Sequence, residues 1–311
     1  MTLKTLFLTG AALTLVACGN NSADVKQAAS ETAASKTTGA AKVEMAMKAN
    51  SAKLATILAA QPDKAKERFE ARNPQETLEF FGITPGMTVI DVLPGAGWYS
   101  KVLIPYLGDE GHIVGVDYDI KMWSEFGGRL SSEEFIEGKK TWAAEWVDGA
   151  QAWRAGSEGK ISAFTFGGRD AEMDGTADAV LFIRAMHNLS RFEANGGYMT
   201  QALADAHALL KPGGVVGVVQ HSGPESNDDE WATGSNGYLK KSDVIAKFTA
   251  AGFELVKESA VNENPNDVPT NDEIVWRLPP NLATSREDAD LKAKMEAIGE
   301  SNRMTLLFKK V

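Results

Sequence analysis

The chain has 311 residues, 43% of them hydrophobic and 24% charged, with 29 Gly and 11 Pro, an ordinary globular composition that fits one large α/β domain or two small ones. The net charge is −10, from 42 acidic against 32 basic residues; the Lys and Arg are scattered, which disfavours a nucleic-acid partner. A single cysteine, Cys18, excludes an intrachain disulfide framework and a Cys-based zinc site, and no run of 18 apolar residues marks a membrane-spanning helix.

Met1 to Lys4 give a short segment with one positive charge, and Leu6 to Leu15 an apolar stretch of signal-peptide length. It ends in Leu15-Val16-Ala17-Cys18, which resembles the bacterial lipobox and implies that residues 1–17 are a signal peptide and that Cys18 carries a diacylglyceryl anchor. The expected localisation is therefore the bacterial cell envelope, with the domain outside the cytoplasm on the periplasmic side. Residues 18–50 lack aromatics and are poor in branched aliphatics; they read as a flexible tether, and residues 51–311 as the folded domain. Leu54, Ile57 and Leu58 have helical spacing, and Pro62 breaks the segment, which predicts two short helices between Glu44 and Phe69.

Gly86 to Asp119 is the informative stretch. Met87 to Leu93 reads as a buried strand, Pro94 to Gly97 as a tight turn, Trp98 to Leu107 as a helix, and His112 to Val116 as a second strand ending in Asp117. This βαβ unit places a glycine turn at the carboxyl edge of a sheet, where doubly wound folds bind ligands. Glycines let the backbone approach a ligand, and an acid about twenty residues on suits the hydroxyls of a ribose. Ser100 stands where a dinucleotide fingerprint wants Gly or Ala, and Asp91 lies inside the first strand; both disfavour a nicotinamide cofactor.

With these residues the chain resembles the class I S-adenosylmethionine-dependent methyltransferases, whose first motif is matched by Asp91-Val92-Leu93-Pro94-Gly95-Ala96-Gly97 with Leu93 in place of a glycine. Pro94 to Tyr99 are similar to the turn of a group of exported bacterial methyltransferases. Gly168 to Glu172, the strand Asp178 to Ile183 running into Arg184-Ala185-Met186-His187-Asn188-Leu189, the turn Leu210 to Gly214 before a strand Val215 to Gln220, the strand Phe253 to Glu258 and a closing strand Arg303 to Lys309 follow in the family's order. The resemblance implies a Rossmann-like seven-stranded, mostly parallel sheet with an antiparallel last strand, and S-adenosyl-L-methionine as cofactor. It further implies that Asp91, Gly95, Gly97, Asp117 and Asp170 bind that cofactor, with Asp117 on the ribose and Asp170 on the adenine amine. His187 is the candidate catalytic residue, as a general base or as a pocket wall.

Two stretches exceed that pattern. Asp117 to Asp170 carries Trp123, Trp142, Trp146 and Trp153, read as packing on the sheet or as an aromatic cap over the substrate; residues 262–302 form a polar, Pro-rich insert. Of the four histidines, His112 and His207 read as structural or solvated, and His221 follows the fifth strand at its carboxyl edge. No metal-ligand spacing is present, and no metal is expected. The resulting expectation is methyl transfer to a small molecule by a lipid-anchored protein. Its alternatives are a non-catalytic ligand-binding or structural lipoprotein on the same fold, and a nicotinamide-dependent oxidoreductase.

Overall fold

The computed structural model describes residues 22–311, with side chains from residue 41 onward. Cys18 and the expected signal peptide lie outside the described residues. The first element is a helix, α1 (Ser22–Ala59). The segment read from composition as a coil is thus helical from Ser22, because its many alanines combine the highest helix propensity with no bulky side chain to restrict. The helix ends before Pro62, and single turns at Asp63–Lys66 and Phe69–Arg72 follow. The chain divides into two compact units at Asn50, and the second, Asn50–Val311, carries the sheet. No described helix is long and apolar enough to cross a membrane.

Within that unit, helix α2 (Pro74–Phe80) precedes the βαβ unit formed by β1 (Thr88–Val92), α3 (Ser100–Leu107) and β2 (His112–Asp117). Helix α4 (Glu133–Ala150) leads to β3 (Lys160–Thr165), and a short loop to β4 (Ala177–Ile183). Helices α5 (Met186–Arg191) and α6 (Tyr198–Leu209) run into β5 (Leu210–His221), then come α7 (Lys241–Ala250), β6 (Phe253–Ser259), α8 (Ala289–Ile298) and β7 (Arg303–Lys310). The seven strands are ordered β3-β2-β1-β4-β5-β7-β6, with β7 antiparallel to both its neighbours and the remaining strand pairs parallel. This is the doubly wound sheet that the motif order implies. Pairing of β5 begins earlier than expected, because Leu210 already stands opposite Ala177 across a register shift.

Alternation along the central strands builds two cores. Ile90, Val92, Val180, Phe182, Val216 and Val218 face α6 and α7, whereas Val89, Ala179, Leu181 and Val219 face α2, α3 and the end of α1, where Leu54 and Leu58 are buried. The acid that opens β4 is structural: Asp178 accepts from the Thr88 amide at 2.8 Å and pairs with Lys211 at 2.5 Å. The chain winds outward from β1 to β3 and returns beside β1 as β4, so the topological switch point, where such folds bind ligands, lies between β1 and β4.

The tryptophan-rich insert packs on the sheet. Trp146 of α4 is buried over Gly115 of β2, where an added Cβ would meet its ring at 2.9 Å. Gly115→Ala is therefore expected to cost about 1–3 kcal/mol through overpacking. Thermal unfolding should show the loss, and Trp146→Leu in the same chain should recover part of it; an unchanged melting temperature for the single variant would show that the ring yields freely.

Candidate functional site at the switch point

The loop after β1 begins with Leu93 at φ 54° and continues through Gly95 at φ 54° and Gly97 at φ 76°. The left-handed conformation costs a branched residue such as Leu93 about 1–2 kcal/mol, and packing of its side chain against the core offsets that cost. Leu93 thus adopts the left-handed conformation that a glycine would hold without steric cost. The two glycines differ in what they face. Gly95 is exposed, and a Cβ there would find only the Leu93 carbonyl, at 4.0 Å. Gly97 is buried under Trp153, whose ring would clash with an added Cβ, so an aromatic ring of this chain accounts for its lack of a side chain.

Asp91 is buried in β1 and accepts from the Ser100 hydroxyl at 2.6 Å, which ties the strand to the start of α3. Burial pushes its carboxyl up to about 6, against the opposing pull of the Ser100 bond. Asp117 closes β2, also buried. It accepts from the Tyr118 amide at 2.8 Å and pairs with Lys139 of α4 at 2.7 Å; burial raises its pKa and Lys139 opposes the rise. The Lys139 ammonium also sits 4.0 Å from the Trp123 ring centroid. Asp170 is exposed after β3 and caps the turn Ala171–Met173 by accepting from the Glu172 amide at 3.0 Å.

The return strand brings Arg184 to the same edge, left-handed at φ 59°. His187 lies buried in the first turn of α5, its Nδ1 without a hydrogen-bond partner among the described residues. Its ring is 5.6 Å from His221 and 6.0 Å from Trp276, centroid to centroid. Burial lowers its pKa to about 4, with a smaller opposing contribution from Gln220, so the imidazole is neutral at pH 7. His221 accepts from or donates to Ser301 at 2.6 Å, and burial lowers its pKa as well. The other two histidines are held elsewhere, His112 against Ser162 at 2.7 Å and His207 edge-on to Phe253. Among the described residues no group of three His, Cys, Asp or Glu is placed to hold a metal ion.

Sequence reasoning missed Lys139, the partner of Asp117, and the arginine cluster behind Arg184. Arg72, Arg303 and Glu300 come together with Arg68, which lies 232 residues before Glu300 along the chain, and no local pattern announces such a meeting. Tyr118 was equally silent: its buried hydroxyl donates to the Ala185 carbonyl at 3.0 Å and so fastens the end of β2 to the end of β4.

No protein-family model matches the chain. Over 53 residues it is 38% identical to ribosomal RNA small subunit methyltransferase H of Solidesulfovibrio magneticus, a match covering 17% of this chain and 16% of that protein; the chain thus spans about a sixth of that relative. Similar solved structures include an S-adenosylmethionine-dependent methyltransferase from Aquifex aeolicus (15% identity, 81% of this chain and 99% of that one, TM-score 0.43). An arsenic(III) S-adenosylmethionine methyltransferase from Chlamydomonas reinhardtii aligns at 16% identity over 83% and 72% of the two chains, with a TM-score of 0.43. A 1,6-didemethyltoxoflavin-N1-methyltransferase from Burkholderia thailandensis, solved with S-adenosylhomocysteine, aligns at 14% identity over 96% and 93%, with a TM-score of 0.41.

The raised pKa of Asp91 carries a sign. Because the folded-state value, about 6, exceeds the unfolded one near 3.8, ionisation disfavours folding; the cost is absent below pH 4, grows to pH 6 and is constant above. Asp91→Asn should raise stability by about 1–3 kcal/mol at pH 7 and leave it unchanged at pH 4. Denaturant titrations at the two pH values measure both; an equal effect at each would place the carboxylate in a solvated setting.

Proposed function

We propose that the protein transfers a methyl group from S-adenosyl-L-methionine to a small-molecule acceptor. The observation that carries this reading is the meeting, at one carboxyl edge, of the open Gly95 turn after β1 and the Asp117 carboxylate at the end of β2. The residues fit a nucleoside with an amino-acid tail. Gly95 and the exposed Ala96 offer backbone that a ligand can approach, and Asp117 presents two oxygens to a ribose diol once Lys139 withdraws. Asp91 orders the turn through Ser100, and Asp170 offers a carboxylate beside β3 for an exocyclic amine. The cofactor supplies an electrophilic methyl; the chain contributes orientation and a water-poor setting. His187, neutral and buried, accepts the acceptor's proton or walls the pocket.

Two contacts favour a second reading, a ligand-binding or structural protein without turnover: Lys139 occupies Asp117, and Trp153 covers Gly97, so two residues of the motif already have partners in this chain. A nicotinamide cofactor is less well supported, since Ser100 is fully buried and its hydroxyl is committed to Asp91. We further propose that Cys18 anchors the chain to the bacterial envelope with the domain outside the cytoplasm. The support is the lipobox-like Leu15-Val16-Ala17-Cys18 and the position of the chain's one cysteine within it.

Calorimetric titration with S-adenosylmethionine, followed by turnover of a panel of acceptors, tests the first proposal. Asp117→Asn should weaken binding about tenfold to a hundredfold. His187→Gln should leave binding and melting temperature near wild type while turnover falls roughly 10²–10⁴-fold. Absence of binding by the wild type sinks the proposal, and binding without turnover selects the second reading. For the anchor, Cys18→Ala should leave the detergent-extracted membrane fraction or accumulate as unprocessed precursor; a processed variant that stays in membranes rules the anchor out.

A further inference from the structure

We propose that the cavity behind Arg184 binds the carboxylate of a small organic acid, which on the methyl-transfer reading is the methyl acceptor. The cavity, about 140 Å³, opens at the carboxyl edge beside the Gly95 turn's own strand neighbour β4, and Arg184, Arg303, His221 and Glu300 line its polar side. Val275, Trp276 and Leu278, all from the 262–302 insert, form the apolar side.

Charge around this cavity does not balance. Glu300 accepts ion pairs from Arg68 at 3.1 Å, from Arg72 at 3.2 Å and from Arg303, so one carboxylate answers three guanidinium groups. The Arg184 guanidinium is the fourth, and among the described residues it has neither an ion pair nor a hydrogen bond, whereas the Arg184 amide donates to the Val219 carbonyl at 2.7 Å. Burial, and then the charges of Arg72 and Arg303, lower its pKa to about 9, with the Glu300 carboxylate opposing; it remains protonated at pH 7 and has no ion pair of its own. Arg303 is buried and also has a donor to spare: its side chain reaches the Ala71 carbonyl at 2.8 Å and Glu300, while its Nε has no partner among the described residues.

Arg184 is half-buried at the cavity wall, and a guanidinium there that faces two further arginines without a partner of its own gains when a ligand of opposite sign arrives. Arg184 is also held in the left-handed region, φ 59°, which is sterically unfavourable for a residue with a Cβ and concentrates at functional sites. The conformation places a lining guanidinium at the switch point. The free fork of Arg184, together with the single spare donor of Arg303, suits a planar oxyanion, and the apolar wall suits the carbon body attached to it, so the geometry selects an organic carboxylate over a bare inorganic anion. Glu300 faces the same cavity, but three arginines already satisfy it.

The test uses the whole domain, with sodium benzoate as probe, benzamide as its neutral isostere and sodium phosphate as the inorganic control, all at constant ionic strength. Benzoate should raise the melting temperature in a dose-dependent way and bind at least tenfold more tightly than benzamide or phosphate. Arg184→Gln should weaken benzoate at least tenfold and, by removing an unpaired charge, raise the ligand-free melting temperature by about 2–4 °C. Equal binding of benzoate and benzamide, stronger binding of phosphate, or a lowered melting temperature in Arg184→Gln would each overturn the proposal. Binding is read without S-adenosylmethionine, so the two readings fail separately. Benzoate held through Arg184 in a protein that transfers no methyl removes only the methyltransferase reading; methyl transfer unaffected by benzoate, with no benzoate bound, removes only this one.

Discussion

Three guanidinium groups converge on the single carboxylate of Glu300, and much of the molecule is arranged around that meeting. Arg68 and Arg72 come from the turns before the sheet, Arg303 opens the closing strand, and Glu300 ends the long insert that precedes it. Taking such charges out of water costs several kcal/mol each unless they are paired and hydrogen-bonded, so the cluster forms only when all three segments are in place. Asn73 and Asn262 extend the same seam, the first to the Val261 carbonyl at 2.6 Å and the second to Thr77 and Thr305 at 2.9 and 3.0 Å. The seam fixes the insert over the carboxyl edge. A second buried knot within it, Arg277 with Asp267 at 2.9 Å and Tyr238 on the same carboxylate, keeps Val275 and Trp276 where they wall the cavity.

The sheet was legible in the sequence because its signals are local. Apolar runs such as Asp178 to Ile183, the glycine turn and the strand-helix alternation each occupy a short window, and burial on both faces leaves those runs nearly continuous. Asp91 and Asp117 were legible for the same reason, as acids interrupting or ending an apolar strand. The helix from Ser22 was misread because low hydrophobicity argues against a buried segment but not against a helix, which alanine favours without any partner. Lys139 and the Glu300 cluster were illegible on different grounds. Their partners are set by tertiary placement, 22 residues away for the first and more than 200 for parts of the second, and charged residues carry no periodicity that betrays a partner.

Gly95 and Gly97 show why a motif needs geometry before it becomes a site. Both have positive φ, and both match the same family pattern. One leaves open space beside the backbone, whereas the other is covered by an indole. The aromatic insert thus serves packing at Gly115 and Gly97, and at Asp117 it places a lysine held over Trp123. A ligand that takes Asp117 must break a 2.7 Å ion pair whose carboxylate is buried, and the net strength of binding there is the difference between two contacts, not the strength of one.

The carboxyl edge has two electrical halves. Around β1 and β2 stand Asp91 and Asp117, both with pKa values raised by burial, which is the setting in which a carboxylate gains most from an approaching positive charge. Around β4 and β7 stand Arg184 and Arg303, with guanidinium donors left over. On the proposed reading, a cationic donor on the first half would meet Asp91 and compete with Lys139 for Asp117, and an anionic acceptor on the second would meet the unpaired Arg184. On the proposed reading, passing a methyl from a sulfonium to an anionic molecule would reduce the charge on both, and a buried setting favours a step in which charge is spent over one in which it is created.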